Sequence, residues 1–136
     1  MLKNKYSRRH FIKQTTFTIL TAGSARTYAA NEKINIGIIG VFNRGKANLN
    51  GVKSENIAAL CDVDSNFLSA QSQHFPKANK YADFRRMIDS EKLDALVVSN
   101  PDHTHAVATS FGLHNNLHIY CEKPLTHTIS ECRTIT

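Results

Sequence analysis

Six consecutive residues, Gly40-Val41-Phe42-Asn43-Arg44-Gly45, carry a spacing suited to holding a diphosphate. Gly40 permits a tight turn out of an apolar run, and Gly45 allows the following helix to pack closely against that run. The helix N-terminus would then face the phosphates with free N–H groups and its positive dipole end. The middle glycine of the G-x-G-x-x-G pattern is replaced by Phe42, whose Cβ occupies space through which the backbone would approach the diphosphate. Arg44 either pairs with phosphate in compensation or is a solvated first-turn residue. Asp62 stands 22 residues after Gly40, where a carboxylate can accept from both ribose hydroxyls and repel a 2′-phosphate. The candidate dinucleotide contacts of this region are therefore Gly40, Phe42, Asn43, Arg44, Gly45 and Asp62, with NAD favoured over NADP.

These residues can act together only if the chain places them at strand ends. Ile34–Ile39 is a mostly apolar strand running into Gly40, and a short helix over Arg44–Val52 follows. Ile57–Cys61 is a second strand, closed by Asp62. Asp64 caps a helix over Ser65–Phe75 that stops at Pro76. A brief strand fits at Lys80–Tyr81, with Asp83 as the cap of a helix whose apolar face is Phe84, Met87 and Ile88. Ala95–Ser99 is another strand, followed by a helix over about His103–His114, a strand at Leu117–Cys121 and a helix from near His127. Strands apolar on both faces and separated by helices give right-handed βαβ units. The expected fold is an α/β, doubly wound parallel sheet of the Rossmann type, which binds its ligand beyond the C-terminal strand ends.

The 136 residues bound this to one domain of ordinary globular composition, with 41% hydrophobic and 21% charged residues. No run approaches the roughly 18 apolar residues of a membrane span. Seventeen Lys and Arg against 11 Asp and Glu give a net charge of +6. Residues 1–30 contribute six of those cations and no acid, so residues 31–136 are formally neutral, which argues against nucleic acid as a partner. The basic segment reads Ser7-Arg8-Arg9-His10-Phe11-Ile12-Lys13, then a mildly apolar stretch, then Tyr28-Ala29-Ala30. Paired arginines before x-Phe-Ile-Lys resemble a bacterial twin-arginine export signal. The expected division is a signal at 1–30 and a dinucleotide domain at 31–136, periplasmic or exported, with the twin-arginine machinery as partner. Cys61, Cys121 and Cys132 show no C-x-x-C spacing and are expected to be buried free thiols. His103-x-His105 lacks the acids or cysteines that would complete a metal site, and His74, His114 and His118 are expected at the surface.

Two further segments carry a resemblance. Ser99-Asn100-Pro101-Asp102-His103-Thr104-His105 follows the fourth strand, and Cys121-Glu122-Lys123-Pro124-Leu125 follows the fifth. With Gly40…Gly45 and Cys61-Asp62-Val63-Asp64 they resemble the N-terminal domain of the Gfo/Idh/MocA oxidoreductases, across essentially all of residues 33–136. The Glu-Lys-Pro-Leu tetrapeptide is the most specific mark. The resemblance implies that Lys123 contacts the substrate hydroxyl being oxidised and that Glu122 lies beside the nicotinamide ribose. It also implies that Pro124 stiffens the turn that aims Lys123, and that Asn100, Pro101 and His105 line the cofactor. The implied activity is NAD-dependent oxidation of a CH–OH group of a sugar or polyol.

Members of that family are about three times as long, with a second domain that encloses the substrate, supplies a further acid/base histidine and often mediates homo-oligomerisation. The stripe of Ile129, Cys132 and Ile135 runs to Thr136 without a cap, the pattern of a truncated chain. The expectation is that these residues alone bind cofactor without turnover. An NAD-dependent glycoside hydrolase of the same fold is the alternative for the parent protein. A non-catalytic remnant is the alternative for the short chain, and both Phe42 and the interrupted last stripe favour it.

Overall fold

The computed structural model describes residues 32–136. The paired arginines at 8 and 9 and the rest of the expected signal lie outside the described residues.

Five strands make one sheet: β1 (Asn35–Ile39), β2 (Asn56–Cys61), β3 (Asn79–Tyr81), β4 (Ala95–Val98) and β5 (His118–Cys121). Their order is β3-β2-β1-β4-β5, and every neighbouring pair is parallel. Between them run α1 (Arg44–Gly51), α2 (Ser65–Ser72), α3 (Phe84–Ser90) and α4 (His105–His114), with α5 (Ile129–Ile135) after the last strand. This is the expected doubly wound sheet.

The side-chain period of two explains how one short strand fills two cores. Ile36 and Ile38 of β1 and Val97 of β4 face one side, where they meet Leu49 of α1 and Leu68 of α2. Ile39 of β1 and Leu96 and Val98 of β4 face the other side, where Met87 and Ile88 of α3 and Ala108 of α4 cover them. Both faces are therefore closed by helices, which is why the strands read as unbroken apolar runs.

Helix starts follow local chemistry. The Asp64 carboxylate accepts from the Asn66 N–H at 2.8 Å, and that of Asp83 accepts from the Arg85 N–H at 2.9 Å. Thr128 and Glu131 form a capping box on α5. In contrast, α1 begins after Asn43 with no side-chain cap.

Most element ends shift by a residue or two from the sequence reading, and two differences have a local cause. Helix α2 ends at Ser72 rather than Phe75, because the chain turns there: the Ser72 hydroxyl donates to the Ser69 carbonyl and the His74 N–H to the Gln71 carbonyl. The segment before α4 is a separate 3-10 turn, Asp102–Thr104, in which the Asp102 carboxylate accepts from the next N–H and competes with a regular helix start.

Candidate functional site

The strand order reverses at β1, which pairs with β2 on one side and β4 on the other. The C-terminal ends of β1 and β4 therefore open a crevice, and the glycine-containing turn sits at its mouth. Gly40 has φ +83°, and a Cβ there would lie 2.6 Å from the Ser99 carbonyl oxygen and 2.7 Å from the Asn100 nitrogen. A Cβ on Gly45 would run into the Gly40 carbonyl itself. The two glycines thus let the turn, the start of α1 and the end of β4 touch backbone to backbone. Asn43 also lies in the left-handed region at φ 49°, and its side chain makes no cap; of the first N–H groups of α1, that of Gly45 goes to the Phe42 carbonyl and that of Ala47 to the Asn43 carbonyl.

Asp62 is placed at the end of β2 and is tied to the turn. Its Oδ2 accepts from the Val41 N–H at 2.9 Å and its Oδ1 from the Asp64 N–H at 3.0 Å. Each oxygen retains a second acceptor site. The residue chosen for ribose recognition is therefore also a staple between the first two strand ends. Phe42 does not project alone over the turn: its ring stacks on Phe67 of α2, with centroids 3.9 Å apart and planes 5° from parallel. Gly40, Phe42, Asn43, Arg44 and Asp62 line one cavity of about 610 Å³, with Val63, Phe67, Phe84 and Pro101 among its apolar walls.

A second cavity of about 540 Å³ holds Asp102, His105, Glu122 and Lys123. Arg44, Ser99 and Asn100 line both, so the two spaces meet along the glycine turn and the end of β4. Arg44 is a mostly exposed first-turn residue, as one of its two readings has it, and it also has a carboxylate partner. Its Nε donates to Glu122 Oε2 at 2.9 Å. Asn48, one turn further along α1, donates to the same Glu122 oxygen and to the Ser99 hydroxyl, each at 2.9 Å. These two donors, Asn48 first, hold the Glu122 carboxyl down to about 2. Sequence reasoning missed Asn48, although its i, i+4 relation to Arg44 puts both on one helix face.

Lys123 is exposed at the edge of this second cavity, as is Pro124, which follows a cis peptide bond. Asn100 Nδ2 donates to the Thr104 hydroxyl at 2.7 Å, whereas Asn100 Oδ1 is buried without a hydrogen-bond partner among the described residues. His105 borders the second cavity, but its ring is 2% exposed and both of its nitrogens are engaged with backbone carbonyls. It lines that cavity with its ring held against the two carbonyls. His103, two residues earlier, is exposed and lines the first cavity.

The cysteines need correction. Only Cys61 is buried; Cys121 is partly buried and Cys132 exposed, because α5 buries no side chain among the described residues. Burial, with help from Asp62 and Asp83, pushes the Cys61 thiol up to about 12. His74, His114 and His118 are exposed as expected. Among the described residues no three His, Cys, Asp or Glu side chains cluster as a metal site would need, and no helix is long and apolar enough to cross a membrane.

A parallel sheet with a strand-order reversal, a Gly40/Gly45 turn at that point and an acid closing the second strand define an NAD-binding Rossmann domain. The chain belongs to the Gfo/Idh/MocA family, described as an oxidoreductase family with an NAD-binding Rossmann fold, whose model matches residues 34–136. It is 24% identical over 107 residues to inositol 2-dehydrogenase of Salmonella typhimurium, covering 75% of this chain and 32% of that protein. It is 27% identical over 116 residues to a glycosyl hydrolase family 109 protein of Shewanella pealeana, covering 74% and 25%. Among solved structures, myo-inositol 2-dehydrogenase from Lactobacillus plantarum superposes with a TM-score of 0.71 at 26% identity, over 76% of this chain and 32% of that one. The chain thus spans about a third or less of the length of these relatives.

Proposed function

We propose that residues 31–136 form the cofactor-binding part of an NAD-dependent oxidoreductase that oxidises a CH–OH group of a sugar or polyol. The observation that carries this reading is convergence. The turn after β1, the acid after β2, the loop after β4 and Glu122-Lys123 after β5 all border one pair of joined cavities. The residues fit the cofactor: Gly40 and Gly45 let the turn, the start of α1 and the end of β4 meet backbone to backbone beside the first cavity, Asp62 keeps acceptor sites for ribose hydroxyls, and Asn100 Oδ1 is a buried acceptor still in need of a donor. Bound NAD supplies the hydride acceptor. The chain supplies Glu122, held anionic, beside the nicotinamide ribose, and Lys123, whose ammonium stabilises a developing alkoxide and helps move its proton. Lys123 is open to water, so orientation of the substrate and exclusion of solvent come from outside these residues.

The reading is tested by titrating the purified chain with NADH and following nicotinamide fluorescence. Saturable binding, competed by NAD, is expected; no binding at any concentration removes the cofactor assignment. The similarity to a glycosyl hydrolase family 109 protein favours a second reading for the parent activity, in which the same hydride step is reversed after glycosidic cleavage. Cleavage of a glycoside with no net NADH formed would select it.

The N-terminal residues act as a twin-arginine export signal and the product works outside the cytoplasm. This rests on Arg8-Arg9 with Phe11-Ile12-Lys13, the run of six cations without an acid, and Ala29-Ala30. Residues 1–31 fused to a folded reporter should direct it to the periplasm, and Arg8→Lys with Arg9→Lys should stop this.

A further inference from the structure

We propose that His105 is a positioning residue that locks the loop after β4 to the turn after β5, so that Asn100 and Lys123 are held as one rigid unit. His105 is one of three buried polar side chains among the described residues. Its Nδ1 lies 2.6 Å from the Pro124 carbonyl oxygen and its Nε2 lies 2.7 Å from the Asn100 carbonyl oxygen. Those carbonyls belong to segments 24 residues apart, one on either side of α4 and β5. Among the described residues no other hydrogen bond joins residues 99–105 to residues 123–128. The β4·β5 ladder ends at Val98 and Cys121, with one further bond from the Glu122 N–H to the Val98 carbonyl. Beyond that point the imidazole and the Asn48 amide, which donates to the Ser99 hydroxyl and to Glu122, are the polar bridges between the two segments, and only the imidazole reaches the Asn100 and Pro124 carbonyls.

A buried ring that served packing alone would do as well with an apolar edge. Here both ring nitrogens lie against backbone carbonyl oxygens at short range; a neutral ring donates to one of them and a doubly protonated ring to both, whereas an apolar ring donates to neither. The ring is anchored as the first residue of α4, whose Ala106 and Ala108 are buried, so the clamp is fixed to the sheet and not to a loose segment. Its consequence is directional: Glu122 and Lys123 sit just before Pro124, and Ser99 just before Asn100, so fixing the two carbonyls fixes the span between the cavity walls. That the clamp serves hydride transfer rests on the role proposed for Lys123; the clamp itself does not.

The test uses the full 136-residue chain with His105→Phe, His105→Asn and His105→Gln. A Phe ring keeps the bulk and removes both nitrogens. An Asn amide nitrogen falls near the Nδ1 position and a Gln amide nitrogen near the Nε2 position, so each restores one donor. Amide hydrogen exchange is measured beside NADH binding. In His105→Phe, exchange in residues 99–104 and 122–127 should rise by about fivefold to tenfold, with β1 and β4 unchanged. His105→Asn should restore protection only in 122–127, and His105→Gln only in 99–104. NADH affinity should fall by a similar factor in the Phe variant and recover in part in the other two. Unchanged exchange in both loops, or a uniform rise across the sheet with no split between Asn and Gln, overturns the clamp. If the wild-type chain binds no NADH, the cofactor reading falls while the exchange pattern still decides the clamp.

Discussion

Arg44 Nε donates to Glu122 Oε2 at 2.9 Å, joining the first residue of α1 to the first residue after β5 across 78 positions of sequence. The pair spans the line where the two cavities meet, and Asn48 secures it from below. The cation nearest the glycine turn is thus already partnered by a carboxylate. Only Nε is used and the Arg44 side chain is 62% exposed, so the rest of its guanidinium stays open.

That pair gives stability a pH signature. Glu122 titrates at about 2 when folded against 4.5 as its ordinary value. Above about pH 4.5 its contribution is complete; as pH falls toward 2 the unfolded chain takes up the proton and the folded one resists, so stability declines. Urea melts across this range should show Glu122→Gln less stable than wild type at neutral pH, with the gap closing on acidification. A gap independent of pH would show that the Asn48 and Arg44 contacts do not set the Glu122 titration.

Substitution of the glycines should separate need from habit. Gly45→Ala pushes a methyl into the Gly40 carbonyl, and Gly40→Ala combines a clash at Ser99 and Asn100 with a left-handed φ. Each should cost about 2–4 kcal/mol in chemical denaturation. Gly51, the last residue of α1, has open space around it, and Gly51→Ala should be neutral or stabilise by about 0.5–1 kcal/mol. Equal effects at all three positions would contradict the packing described.

Asp62 should reveal two roles at once. If its free acceptor sites read the ribose, NADH binds more tightly than NADPH, and Asp62→Ser narrows the difference. The same change strands the Val41 and Asp64 N–H groups, at about 1–3 kcal/mol each where they are buried. Asp62→Asn keeps one acceptor and should lie between wild type and Asp62→Ser in stability. Fluorescence titration and thermal melts of the three proteins check both points.

Thiol chemistry should sort the cysteines. Cys132 is exposed and should react with an aromatic disulfide reagent in the native protein, whereas Cys61 should react only on unfolding. Because Cys61 moves from 9.0 to about 12 on folding, its unfolded thiol ionises first as pH rises. Stability should therefore fall with rising pH from about 9 to about 12, and Cys61→Ser should remove that component. Rapid native labelling at Cys61 would show that β2 opens readily.

The strands, the two-sided core and the glycine turn were legible because each is a local pattern: an apolar run, a glycine spacing, an acid at a strand end. Asp64 and Asp83 were readable as caps for the same reason. What was not legible depends on closure over distance. Nothing local links Arg44 to Glu122, so that contact could not be read from the sequence. The burial of His105 is set by where Pro124 returns after β5, which the residues around a histidine at a helix start do not state. The thiols were misread because burial of Cys121 and Cys132 depends on what covers β5 and α5, which their own sequences do not state.

The first strand made, β1, has partners on both sides, with Ile39 opposite Cys61 in one ladder and Val98 in the other. The sheet is therefore written outward from its centre, one wing by residues 56–81 and the other by residues 95–121. A ligand in the crevice rests on both wings, yet their backbone ladders share only β1. Each wing can drift by mutation without disturbing the pairing of the other. The part of the crevice beside β2 and the part beside β5 can therefore evolve almost as separate modules on a common spine.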